Sequence, residues 1–227
     1  MKAVVRDVMS THPVSVPKTA SFKEIAGKLR GLGVSGFPVV DEDGKVAGVV
    51  SEADLLVKQA LEDGYHGVRG LIAAIVHAAE RHKAEGVTAG DLMTSPAVTV
   101  SPDDTVEHAA WLLYARGLKQ LPVVDASGRL AGIVSRTDVL AVFDRPDEEI
   151  RLEITGQVIP RLSEPSWYWV RVKDGVVTLE GNPETIPIGH EVLRQVRQVQ
   201  GVVAVEDRLV YPLPPTPAAP GPYFQSR

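Results

Sequence analysis

The first two thirds of this chain contain one sequence frame written twice, 84 residues apart, and no other feature narrows the possible folds as much. Gly33-Val34-Ser35-Gly36-Phe37-Pro38-Val39-Val40-Asp41 returns as Gly117-Leu118-Lys119-Gln120-Leu121-Pro122-Val123-Val124-Asp125. The match runs on without a gap. Gly44-Lys45-Val46-Ala47-Gly48-Val49-Val50-Ser51-Glu52-Ala53-Asp54 pairs with Gly128-Arg129-Leu130-Ala131-Gly132-Ile133-Val134-Ser135-Arg136-Thr137-Asp138. Upstream, Met9, Val14 and Val16 pair with Met93, Val98 and Val100.

Each copy reads as β-α-β-β-α. Val14-Ser15-Val16 alternates as a short strand does. Ser21 followed by Glu24 is a capping-box signature, and Phe22, Ile25, Ala26, Leu29 and Leu32 then recur at helical spacing until Gly33 stops the helix. Phe37 to Val40 is a buried strand, residues 42–45 a hairpin turn, and Val46 to Val50 the return strand. A second helix opens at Ser51. In the other copy Thr105 opens the first helix, Ala126-Ser127-Gly128 turns the hairpin, and Ser135 opens the last helix. One such unit alone leaves an apolar sheet face exposed. Two related by a pseudo-twofold axis bury both.

The duplicated Pro-Val-Val-Asp strand and Gly-x-apolar-Ser-x-x-Asp turn resemble a tandem pair of CBS domains, the Bateman module, over roughly residues 1 to 145. The expected division is 1–60 for the first repeat, 61–90 for a helical linker with its apolar face on Leu71, Ile72, Ile75, Val76 and Ala79, and 91–145 for the second repeat.

Ser51 and Asp54, with Ser135 and Asp138 in the second copy, stand where a strand runs into a helix. Amides at a helix start are unpaired and attract phosphate. A serine adds a hydroxyl donor, a carboxylate one turn in can accept from ribose hydroxyls, and Gly48 or Gly132 permits close backbone approach. The resemblance implies these same roles toward AMP, ADP, ATP or S-adenosylmethionine. Ser-x-x-Asp is equally a helix cap that needs no ligand, so both readings stand at this point. The resemblance further implies apolar adenine walls, from Val14, Phe37 and Val49 in one site and from Val98, Leu121 and Ile133 in the other. It also implies a basic residue just before the Pro-Val strand. Lys119 fills that place in the second copy, whereas the first has Ser35 and Gly36, so unequal sites are expected, with multiple phosphates best tolerated near Lys119.

Arg145-Pro146-Asp147 breaks the chain. Beyond it the pattern gives a helix over Glu148 to Ile159, a strand over Trp167 to Val172, an Asp174-Gly175 turn, a strand over Val176 to Gly181, a helix over Pro187 to Gln200 and a strand over Val202 to Val210. Residues 175–181 and 201–209 within this α-β-β-α-β order resemble a BON domain, over about 147–211, followed by a proline-rich tail, 212–227. Such domains imply phospholipid or protein partners. Trp167 and Trp169 are expected on one strand face.

The fold class is therefore α+β: a pseudo-twofold pair of CBS repeats with a small C-terminal domain. The chain has no cysteine, which excludes disulfides, thiolate metal sites and thiol nucleophiles. Its histidines make no HExxH pattern, and His77 and His82 are five apart. No Walker loop, nucleophile elbow or dinucleotide fingerprint occurs. The formal net charge of −5 argues against a nucleic-acid partner. The opening residues lack the apolar core of a signal peptide, and a cytoplasmic location is expected. The functional expectation is a non-catalytic regulator, with no obligatory cofactor, that senses an adenosine nucleotide and forms a homodimer through the helices of the repeats. The alternatives are a constitutive dimeric scaffold and a membrane-surface adaptor.

Overall fold

The computed structural model describes residues 3–56 and 86–212. The linker helix expected over Leu71 to Ala79, the pair His77 and His82, and the proline-rich stretch after Pro212 lie outside those residues. The chain divides after Val142 into two compact units.

In the first unit, β1 (Val16–Pro17), β2 (Gly36–Val40) and β3 (Val46–Ser51) form a sheet in that order, β1 parallel to β2 and β2 antiparallel to β3. The helix Phe22–Leu32 starts on Ser21, whose hydroxyl accepts from the Glu24 amide at 3.3 Å, and stops at Gly33 with φ 64°. A further helix opens at residue 52. The second copy repeats the plan with the helix Val106–Ala115, capped by Thr105, the hairpin of β4 (Gln120–Val124) and β5 (Leu130–Ser135), and the helix Arg136–Leu140. Where the first copy has β1, the second makes a single parallel bridge, Val100 to Val123.

Neither repeat completes its core from its own contiguous sequence. Residues 3–10 pack on the second repeat: Val5 is fully buried with Val100, Ala109, Leu121 and Val134, and its amide donates to the Asp104 carbonyl at 2.8 Å. The short helix Ala89–Leu92 packs on the first repeat, with Ala89 and Leu92 fully buried beside Val16, Ile25 and Phe37. Burying one side chain such as Leu92 is worth about 1.5–3 kcal/mol. The exchange continues as backbone pairing. Val49 and Thr94 trade hydrogen bonds at 3.0 and 2.8 Å, and Ser10 and Ile133 at 2.9 and 3.1 Å. The two hairpin tips also meet, through Val46 N–H to the Gly128 carbonyl and Leu130 N–H to that of Gly44.

These contacts explain Gly48 and Gly132. A Cβ on Gly48 would stand 2.6 Å from Met93 Sδ and 2.8 Å from the Thr94 carbonyl oxygen, and one on Gly132 would stand 2.8 Å from the Ser10 carbonyl oxygen. The close backbone approach expected at these glycines is therefore made by the exchanged segments of the protein itself.

The second unit contains the helix Asp147–Glu153, prolonged by a π-type turn, Ile154–Val158, and a 3₁₀ turn, Ile159–Arg161. Then come β6 (Tyr168–Lys173), β7 (Val176–Gly181), the helix Ile186–Val196 and β8 (Ala204–Leu209). β7 is central, antiparallel to β6 and parallel to β8. Asp174 and Gly175 both have positive φ, 50° and 73°, as a two-residue hairpin turn requires. The Asp147 carboxylate accepts from both of their amides, at 2.7 and 2.8 Å, tying the first helix to the turn. The core gathers Ile150, Ile154, Tyr168, Leu179, Val192 and Val196. Trp167 and Trp169 do not share a strand face: Trp167 ends the 3₁₀ turn Pro165–Trp167, and β6 starts one residue later. No described helix is long and apolar enough to cross a membrane.

Two predictions follow from this packing. Gly48→Ala lowers the melting temperature of the first unit, at a cost of about 1–3 kcal/mol. Gly27→Ala, where a Cβ meets nothing within 4 Å, raises it through a stability gain of about 0.5–1 kcal/mol. Thermal denaturation of both variants checks this, and equal shifts would contradict the close approach. Tyr211 donates to Asp207 at 3.0 Å, and burial, followed by that carboxylate, pushes its hydroxyl up to about 12. Its folded-state value is raised, so its contribution is complete below about pH 10 and is lost as pH rises toward 12. The stability difference between wild type and Tyr211→Phe should stay constant below about pH 10 and shift against wild type only across that window.

Candidate functional site

The end of β3 builds the first site. Ser51 stands at the start of the helix that follows, and one carboxylate oxygen of Asp54 accepts from both the Ser51 amide and the Ser51 hydroxyl, each at 2.8 Å. The other oxygen lies 3.4 Å from the Thr94 hydroxyl, which the exchanged segment delivers. Asp54 is buried, with 9% of its surface accessible. Ser135 and Asp138 repeat the box with bonds of 2.7 Å from amide and hydroxyl, and the Asp138 amide returns to Ser135 Oγ at 3.3 Å. The helix after Ser135 spans only five residues, Arg136–Leu140, so its dipole is a weak source of attraction for an anion.

A cavity of about 300 Å³ opens beside the first box. Val49, Ser51 and Asp54 line it from the first repeat, and Val98, Leu118 and Lys119 from the second. Its size is at the lower end of small-molecule pockets, and its lining mixes apolar walls with a few polar groups in the usual way.

The structure groups the expected residues differently from the repeat alignment. Val49 and Val98, assigned to separate sites by sequence, line one cavity: Thr94 and Ser95 bond to the first repeat, and Val98, three residues on, packs on the core of the second. Phe37 and Leu121 are in the two hydrophobic cores, 1% and 0% exposed, and line no wall of it. Strand alternation turns them inward, opposite Val50 and Val134. Ile133 is half-buried and paired with Ser10, and Val14 is exposed. Lys119 reaches the cavity, but its ammonium is ion-paired with Glu52. Sequence reasoning missed Thr94, Gln120 and Glu52. Gln120 donates to the Gly36 carbonyl at 2.8 Å, joining equivalent positions of the two copies. Thr94 had one available signal, its place next to Met93, a residue the repeat already marked.

Comparison with known proteins bears on this arrangement. Residues 5–60 and 89–145 match the family model described as CBS domain. The chain carries a tandem pair of CBS domains. The uncharacterized protein MK0525 of Methanopyrus kandleri is 31% identical over 137 residues, which are 60% of this chain and 58% of that protein. The chloroplastic CBS domain-containing protein CBSX1 of Arabidopsis thaliana is 33% identical over 115 residues, 47% of this chain and 49% of that one. The chain thus spans about half the length of these curated relatives. Among solved structures, CBSX2 in complex with AMP has 31% identity, covers 61% of this chain and 94% of its own, and gives a TM-score of 0.49. The cavity described above lies where the two CBS domains meet, its walls drawn from both.

Proposed function

We propose that the protein is a non-catalytic regulator whose CBS pair takes an adenosine-type nucleotide in the cavity beside Ser51 and Asp54. The observation that carries this reading is the cavity's double ownership: a ligand there touches Val49 and Asp54 of one CBS domain and Val98 and Lys119 of the other. Such a ligand has different contacts in different packings of the pair, which is the condition for binding to shift a conformational equilibrium. Ribose hydroxyls would donate to the Asp54 carboxylate in place of the Ser51 hydroxyl, and adenine would lie between Val49 and Val98. The ligand class is the one the CBS resemblance implies.

The C-terminal unit is read as a BON domain from its helix, strand, strand, helix, strand order, and as the element that passes the signal to a phospholipid or protein partner. Homodimerisation through the CBS helices is supported by their uncovered apolar side chains: Trp111 is 59% exposed and Tyr114 88%. A cytoplasmic location goes with this reading.

One observation favours a scaffold instead. Both Ser-x-x-Asp boxes are closed on themselves, each serine amide and hydroxyl donating to the aspartate three residues on. Isothermal titration of the whole chain with AMP, ADP, ATP and S-adenosylmethionine separates the two. The regulator gives heat with at least one ligand, and Asp54→Asn, which keeps a capping side chain, weakens that ligand about tenfold or more, the loss of a charge-assisted hydrogen bond pair. No heat and no thermal shift with any of the four leaves the scaffold.

A further inference from the structure

We propose that Glu52 is a specificity residue that restricts the cavity to adenosine ligands of low negative charge. The inference rests on the adenosine reading above and adds to it which members of that class are accepted.

Glu52 and Lys119 line the cavity and also the shallow groove that adjoins it, so they stand at the boundary between the two. They are ion-paired there, each about half exposed. Among the described lining residues, Glu52 and Asp54 supply two carboxylates and Lys119 one ammonium, leaving one negative charge in excess. A single phosphate can share Lys119 with Glu52. A further phosphate that competes for Lys119 takes the ammonium from Glu52 and leaves that carboxylate facing the phosphate oxygens, a like-charge contact; Arg30 lines the adjoining groove but not the cavity. Because Lys119 is engaged by Glu52, the proposed preference for few phosphates runs opposite to the expectation from sequence that several are best tolerated near Lys119.

The repeat departs from itself at both positions together. Glu52 is replaced by Arg136 in the second copy, and Lys119 corresponds to Ser35 in the first. Arg136 donates through Nε to the Leu118 carbonyl at 2.7 Å. The ion pair thus belongs to one side of the pair of repeats, and the repeated fold does not require it.

The test is calorimetry on the full chain with adenosine, AMP and ATP in magnesium-free buffer, for wild type, Glu52→Gln and Lys119→Gln. Wild type binds AMP more tightly than ATP, and Glu52→Gln shifts the ATP-to-AMP affinity ratio toward ATP by about tenfold, an effect that shrinks at about 0.5 M salt. Lys119→Gln weakens AMP and leaves adenosine nearly unchanged. If Glu52→Gln changes melting temperature but holds the ratio within about twofold, the pair is only a tie between domains and the proposal is overturned. A wild-type preference for ATP overturns it too. Failure of all three ligands on wild type and Glu52→Gln instead removes the adenosine reading, and this proposal with it.

Discussion

The arrangement depends on a crossed exchange of backbone. Residues 3–10 complete the second CBS repeat and residues 86–95 complete the first, each by strand-like hydrogen bonds and by apolar side chains placed in the other copy's core. Val5 has no place in the first core, and Leu92 none in the second. Because the pairing must pass over Gly48 and Gly132 at less than ordinary Cβ contact distance, these positions accept glycine and little else. The two repeats are therefore one folding unit, and a change in how they pack is felt by both.

The cavity is a consequence of that exchange. Once Thr94 is paired to Val49, the chain that follows it lays Val98 beside the Ser51 turn, and the second repeat's residues 117–120 close the other side. Its polar groups are already satisfied internally, Asp54 by Ser51 and Lys119 by Glu52. A ligand taken there would have to replace these bonds, and its affinity would come from the difference between the two sets.

Much of this was legible in the sequence. The repeat frame set the strand and helix order of both copies. Ser21 and Thr105 marked helix starts, and Gly33 and the Asp174-Gly175 pair marked a stop and a turn that the structure places where the residues suggest. The exchange was not legible, because periodicity reports which face of an element is apolar and says nothing of whose core receives it. Val98 and Val49 could not be joined for that reason. Phe37 and Leu121 are expected as ligand walls from the CBS resemblance, whereas the strand faces of β2 and β4 turn them into the cores. Nothing in the sequence singled out Glu52, since its partner lies 67 residues away. In the C-terminal unit the smooth helix expected over Glu148 to Ile159 loosens after Glu153 into a π-type turn, a change in hydrogen-bond register that a four-residue apolar spacing does not reveal.

The most direct test of the central claim is a crystal structure of the full chain grown with saturating AMP. The account predicts adenosine density between Val49 and Val98, ribose hydroxyls on the Asp54 carboxylate, and the Ser51 hydroxyl released from it. An undisturbed Ser51–Asp54 bond with the nucleotide absent from that cavity, or bound elsewhere on the chain, would contradict it.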